Sequence, residues 1–356
     1  PEPYPEKPVS VLRQGFAGGY SVVTLCGWPI RYLPREGRLE VLESVDYRLH
    51  CSPTGREPVA PERESQLCAG VRRRAIEALV SNPADTGMYG EVPRAPLVRP
   101  TPRLEVTEAP SPEGDCVDMV IVTSGELEEA FGQLADYRTA RGMVTVVRTV
   151  EWIGQRYSGC DTPERIRNFL RDAHQRWGVQ FVLLGGDAET VPIREAAGWK
   201  YLPIPFPSYC LPSDDYYGDL DGVWSSGGSG WTLQSTMGYL DLCTGRWPVS
   251  APEEVDALLG KLMLYETSPP SGGFARKMLL LGSNNPQGSG ADDLMALTEM
   301  LSGYSIPQFL DEPTELYYPH SLPAGDLDRN SALQAMDDGY SVVIHADHSE
   351  MHKLGT

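Results

Sequence analysis

The chain has no run of apolar residues approaching the eighteen or so that mark a membrane-crossing helix, and nothing at its start resembles the charged and apolar regions of a signal peptide. It begins Pro1-Glu2-Pro3-Tyr4-Pro5, which reads as the inside of a longer precursor; a secreted or extracellular protein is expected, with its signal peptide outside this chain. Basic residues are scarce, 30 against 49 acidic ones, and a net charge of −19 argues against a nucleic-acid partner, whose phosphates need a basic face. Such acidity suits a soluble secreted protein or one that holds calcium, and equally suits plain solubility. The seven cysteines, at 26, 51, 68, 116, 160, 210 and 243, include no C-x-x-C pair, so zinc-ribbon and thioredoxin-type readings fail. An odd count leaves at least one thiol free. Buried free thiols and one or two disulfides both stay open, with Cys51 and Cys68, which flank a loop-like stretch, as a possible pair.

What is present is a globular composition, 41% hydrophobic and 22% charged over 356 residues, enough for two or three domains. Residues 1–103 read as β-rich. Tyr20 to Leu25 and Arg38 to Leu49 have strand composition, the second with period-two alternation, and Arg35-Glu36-Gly37 between them suits a hairpin turn. Prolines 96, 100, 102, 110 and 112 mark a linker, ending in residues 104–117. From 118 onward strands alternate with helices. Strands are expected at Asp118–Thr123, Val144–Val147, Gln180–Leu184, Met278–Leu281 and Ser341–Ile344. Helices are expected at Gly125–Arg141, from an N-cap Thr162 to Trp177, at Pro252–Tyr265, Asp292–Leu301 and Ser331–Asp337. This succession implies a mainly parallel sheet flanked by helices, with function at the carboxyl ends of the strands. Asp187, Asn284 and His348 all fall there.

Half of the six histidines, His345, His348 and His352, lie within eight residues at the end of the last strand. Their spacing suits one helix face, but the segment begins as a strand and lacks H-E-x-x-H, so a zinc site is disfavoured. A histidine at a strand end is a candidate general base; polar loop histidines without chemistry are the plain alternative. Asp214, Asp215, Asp219 and Asp221 crowd a turn-rich stretch whose oxygens suit calcium, without the closing Glu of an EF-hand; a solvated acidic turn would look the same. Asp292 and Asp293 open a helix, where acidic residues favour the dipole in any case.

Taken in order, Leu183 to Pro192, Ser213 to Gly222, and Gly245-Arg246-Trp247-Pro248-Val249 with the helix after it resemble the gingipain-type cysteine peptidases. These are relatives of the caspases, legumains and clostripains. The resemblance runs from about Asp118 to the end, and the region before it is similar to the β-rich propeptide domain of that family. It implies an α/β caspase-like sheet over 118–356, with a first subdomain at about 118–205 and an incomplete second at about 206–356. A β-rich, sandwich-like prodomain over 1–103 precedes it. It also implies His348 as catalytic base, with His345, Asp347 and Ser349 as its neighbours. Asp347 and Ser349 stand where the family has glycines, which bears on close approach of substrate. Further implied are Asp292 in a pocket for a basic P1 side chain, Arg103 as a propeptide plug or cleavage point, and structural calcium with no organic cofactor. The family's nucleophilic cysteine follows the histidine on the next strand. None of the seven cysteines occupies that position, so either a missing continuation of this chain or a second chain of the same precursor is expected to carry it, acting on a protein or peptide substrate. The rival expectation is a catalytically inactive, secreted calcium-binding adhesion or assembly module on the same fold.

Overall fold

Alternating polar and apolar residues fold the N-terminal segment into antiparallel ribbons. In the computed structural model, which describes residues 2–52, 55, 57–89, 104–197, 210–227, 230–233, 239–283, 310–311, 314–318, 327–346, 349–350 and 353–354, β1 (Val9–Ala17) pairs with β2 (Tyr20–Gly27). Likewise β3 (Ile30–Leu33) pairs with β4 (Arg38–Val41) across the expected turn, where Gly37 takes a φ of +61°. The expected strand over 38–49 stops at Val41. Alternation alone does not make a strand, and among the described residues no neighbour supplies a ladder for residues 42–49.

Inside the stretch read as β-rich lies a helix, α1 (Gln66–Leu79), capped by the Ser65 hydroxyl, which accepts from the Cys68 amide. Its buried stripe is Cys68, Arg72 and Ile76, four residues apart each time. An arginine in the middle of that stripe is tolerated because Glu64 grips its guanidinium through two hydrogen bonds of 3.0 and 2.7 Å, and Gly18 accepts another.

From Met119 onward buried strands alternate with helices. The order is β5 (Met119–Thr123), α2 (Glu128–Ala140), β6 (Thr145–Thr149), α3 (Val150–Arg156), α4 (Thr162–Trp177) and β7 (Phe181–Gly185). Then come β8 (Arg194–Ala197), β9 (Cys210–Ser213), α5 (Asp215–Gly218), β10 (Trp224–Gly227), β11 (Gly230–Leu233), β12 (Cys243–Trp247) and α6 (Pro252–Thr267). A four-stranded parallel sheet of order β12-β7-β5-β6 forms the centre. Val120 and Val122 pack on Ile153, Ile166, Phe169 and Leu170 from α3 and α4. On α2, Phe131 lies over Gly185, where a Cβ would come within 2.6 Å of its ring. The sheet is therefore covered on both faces, as all-parallel sheets require. β8 to β11 form a second sheet, and Arg194 on β8 lies 4.2 Å from the ring centre of Tyr216 on α5 and 4.1 Å from that of Trp231 on β11.

Helix α4 has the expected extent, but its N-cap is Asp161, whose side chain accepts from the Glu164 amide; Thr162 is the first helical residue. Asp161 also holds Arg194 through two hydrogen bonds, a task a threonine cannot perform. Gly178 ends the helix at φ +79°, and a Cβ there would lie 2.4 Å from the Arg63 carbonyl. Gly178→Ala is therefore expected to cost about 1–3 kcal/mol of stability, read as a lowered urea midpoint, since both backbone conformation and space oppose it. An unchanged midpoint would refute the close packing of α4 on residues 63–64.

Pro1–Gly260 and Lys261–Thr356 are two compact units. In the second, β13 (Met278–Ser283) lies between β14 (Thr314–Tyr318) and β15 (Val342–Ala346), all parallel. The helix α7 (Arg329–Asp337), opened by an Asp328–Ser331 capping box, leads into β15. Met278 and Leu280 bury one face of this sheet against Leu310 and Ile344. A short ribbon, β16 (Ser349–Glu350) with β17 (Lys353–Leu354), follows. No helix among the described residues is long and apolar enough to cross a membrane. The six described cysteines are all free thiols, so the possible Cys51–Cys68 disulfide is not formed. Cys68 is buried against the Asp118 carboxylate, while Cys51 is exposed.

Candidate active site

A parallel sheet offers its chemistry where neighbouring crossovers leave in opposite directions and open a crevice at the strands' carboxyl ends. In the second unit the chain passes from β13 outward to β14 and returns to the opposite side for β15, so strand order reverses between β13 and β15. Register sets Leu281 beside His345 and Gly282 beside Ala346. The carboxyl ends of β13 and β15 thus lie at that reversal, and Asp347-His348 are the next residues in the sequence after β15. Strand β15 extends beyond the expected Ile344, which makes the half-buried His345 a strand residue rather than a loop one. Ser349 opens β16 with Leu354 as its partner. His348, Asp347, His352, Asp292, Asn284 and Arg103 lie outside the described residues.

The corresponding edge of the first unit is closed by its own side chains. Arg246, at the end of β12, binds the Asp214 carboxylate through two hydrogen bonds of 2.8 Å. Its remaining terminal nitrogen donates to the carbonyls of Gly186, Asp187 and Val191 at 2.7, 3.1 and 2.8 Å. Asp187 turns back on its own loop and accepts from the amides of Thr190 and Glu189, which hold its carboxyl below the usual range. The Arg246 guanidinium is thus spent on Asp214 and three backbone carbonyls, and the arrangement braces a loop.

The four aspartates proposed for calcium separate. Asp214 is committed to Arg246, and Asp215 is exposed at the start of α5. Asp219 is buried, accepts from the Gly222 amide at 2.7 Å, and has its carboxyl raised by burial. Asp221 accepts from the Val59 amide at 2.7 Å. Close to these last two is a carboxylate that the sequence reading missed. Asp241 accepts from the amides of Gly18, Leu220 and Asp221, and burial together with the Asp221 charge pushes it up to about 7. Its signal was slight, a lone aspartate between Leu240 and Leu242. These carboxylates tie the N-terminal ribbon and the Val59 segment to the sheet domain. Among the described residues no three His, Cys, Asp or Glu side chains are placed to hold a metal ion, so the four aspartates do not fit one calcium and no step is assigned to it.

A nucleophilic thiol needs a lowered pKa or an adjacent base. Four of the described thiols have neither. Burial and then the Asp118 charge raise Cys68, and burial raises Cys116 and Cys243. A hydrogen bond with Glu164 raises Cys160. Carboxylates, where they adjoin these sulfurs, oppose the thiolate.

The model of peptidase family C25 matches residues 113–356. No curated protein matches the sequence. Among solved structures, a complex of the pro- and mature domains of Porphyromonas gingivalis RgpB is 18% identical, with a TM-score of 0.45 over 65% of this chain and 48% of that one. A structure described only as a protease is 17% identical, at a TM-score of 0.46 over 66% and 45%. Dimeric latent PorU from Porphyromonas gingivalis is 22% identical, at 0.29 over 42% and 15%. The chain spans less than half the length of each solved structure it matches.

Proposed function

Since the chain belongs to peptidase family C25, the gingipain-type cysteine peptidases, we propose that it is the proenzyme, or an N-terminal processed chain, of a cysteine endopeptidase in which His348 is the catalytic base. The observation that carries this reading is the reversal of strand order between β13 and β15, with His348 in the segment that leaves β15 at that point. Four of the described thiols upstream, Cys68, Cys116, Cys160 and Cys243, support it from the other side, because burial or neighbouring carboxylates work against their ionisation. The nucleophile is a cysteine outside these 356 residues.

In the proposed reaction His348 takes the proton of that thiol, and the thiolate adds to the scissile carbonyl of a protein or peptide substrate. The same imidazole returns the proton to the leaving amine, so that a thioester remains; water activated at the same nitrogen then hydrolyses it. Residues 1–103 act as the prosegment, with Arg103 as the plug or cleavage point and Asp292 as the acid facing a basic P1 side chain. The protein works outside the cell.

The test is labelling of the natural protein with an alkylating thiol inhibitor, followed by intact mass and peptide mapping. The label is expected on a cysteine absent from these residues, with concurrent loss of peptide hydrolysis. A label confined to one of the seven cysteines here would overturn the reading. So would an unlabelled protein that cleaves nothing in a mixed peptide library; that result would favour the inactive assembly module, for which Asp347 and Ser349 in place of glycines is the supporting observation.

A further inference from the structure

The last turn of α4 is sewn to the N-terminal segment by backbone contacts. The Glu62 amide donates to the Gln175 carbonyl at 2.8 Å, and Gly178 lies directly against the Arg63 carbonyl. Inside this seam sits His174, only 1% exposed. Its Nδ1 lies 2.7 Å from the Val179 carbonyl. A carbonyl can only accept, so Nδ1 carries the hydrogen and Nε2 holds the bare lone pair. Nε2 is closed to water and has no partner at full hydrogen-bond geometry, and the Val59 backbone beside the ring offers its charged form only a partial partner.

We propose that the seam between α4 and residues 57–72 is an acid-labile joint, opened when His174 takes a proton at Nε2. The charged groups facing the ring come from the N-terminal side: Arg72 on α1, and Glu64 just before it. Glu64 is already spent on Arg72, through both of its oxygens. A second cation beside that guanidinium finds no free anion there and no water, while the same imidazole in an opened seam is hydrated. Burial first, and Arg72 next among the unfavourable influences, hold the imidazole below its ordinary range. The sign follows. A group that binds a proton more weakly in the closed seam than in the open one leaves the closed form undisturbed above about pH 6.5 and weakens it as pH falls below that. One proton shifts the opening equilibrium by at most about tenfold per pH unit. The three carboxylates that face the neighbouring stretch, Asp219, Asp221 and Asp241, work the other way. Burial raises them, so protonation favours their closed arrangement. The joint is thus expected to respond to His174 against their opposition, and the inference does not depend on the peptidase reading.

Hydrogen exchange on the full chain tests it, with intrinsic rates corrected, between about pH 7.5 and 5.5. Relative to His174→Gln, which is neutral at every pH, wild-type protection of the Val59 and Glu62 amides is expected to fall by up to about tenfold per unit below pH 6.5, while protection of β5 does not differ between the two proteins. An equal pH dependence in wild type and the glutamine variant overturns the proposal, as does a steeper fall in the variant. Should that variant fail to fold, the titration of the His174 ring by NMR decides: a midpoint at or above the ordinary imidazole range overturns the proposal, and one below it supports it.

Discussion

Replacing His348 by alanine is expected to lower kcat/KM for peptide hydrolysis by roughly a hundred- to ten-thousand-fold, the usual contribution of a positioned acid–base group. The loss follows from the proton balance of the proposed reaction. Without an imidazole the attacking thiol must ionise against its own pKa, and the leaving amine departs without a proton. The variant is also expected to slow alkylation of the nucleophilic cysteine, because thiolate, not thiol, reacts. His345→Gln separates chemistry from scaffold. His345 sits within β15 beside Leu281, so its replacement is expected to lower stability while most of the activity of the folded fraction remains. Activity in His348→Ala close to wild type, or a larger loss in His345→Gln than in His348→Ala, would remove His348 from the mechanism.

A second large effect is expected at Arg246, which ties five acceptor atoms together, two on Asp214 and three backbone carbonyls. Arg246→Met keeps most of the side-chain volume but leaves the partly buried Asp214 carboxylate and those carbonyls without their donor. The expected cost is about 3–5 kcal/mol, measured by urea unfolding, because removing one partner of a buried pair strands the other. Adding Asp214→Leu to Arg246→Met is expected to recover part of that loss by removing the stranded charge. Equal midpoints for wild type and Arg246→Met would show that the loop after β7 is held by other contacts.

The elements that were legible before the structure share one property: burial on both faces or a clean helical stripe. β5 and β7 are nearly continuous apolar runs, and α4 carries Ile166, Phe169, Leu170, Ala173 and Trp177 on one side, so pattern alone placed them. Helix α1 was missed because its inward stripe contains Arg72, which local pattern assigns to solvent; the Glu64 partner that makes it tolerable is a tertiary fact. β12, Cys-Thr-Gly-Arg-Trp, was not read as a strand because a glycine and an arginine sit at its centre. It forms because β7 supplies a parallel ladder, from Cys243 with Phe181 to Trp247 with Gly185. The candidate site was legible to the extent that it lies after a strand. The crossing pattern that makes the end of β15 special is a property of strand order, which no stretch of sequence contains. The acidic turn misled for the opposite reason: proximity in sequence suggested one ligand set, while Arg246 and the Val59 amide draw Asp214 and Asp221 to different partners.

The bond between the Gly18 amide and Asp241 joins residues 223 positions apart. A chain made from its N-terminus at roughly 5–20 residues per second leaves that amide waiting about 11–45 s for its acceptor. During that interval the β1–β2 ribbon has neither Asp241 nor Arg72's full surroundings to close against, and its open edges invite pairing with other chains. Such distant closure slows folding by its nature, since chain entropy is lost well before the contact repays it. The N-terminal ribbon is therefore synthesised well before the acceptor that secures it and is among the last parts to be fixed in place.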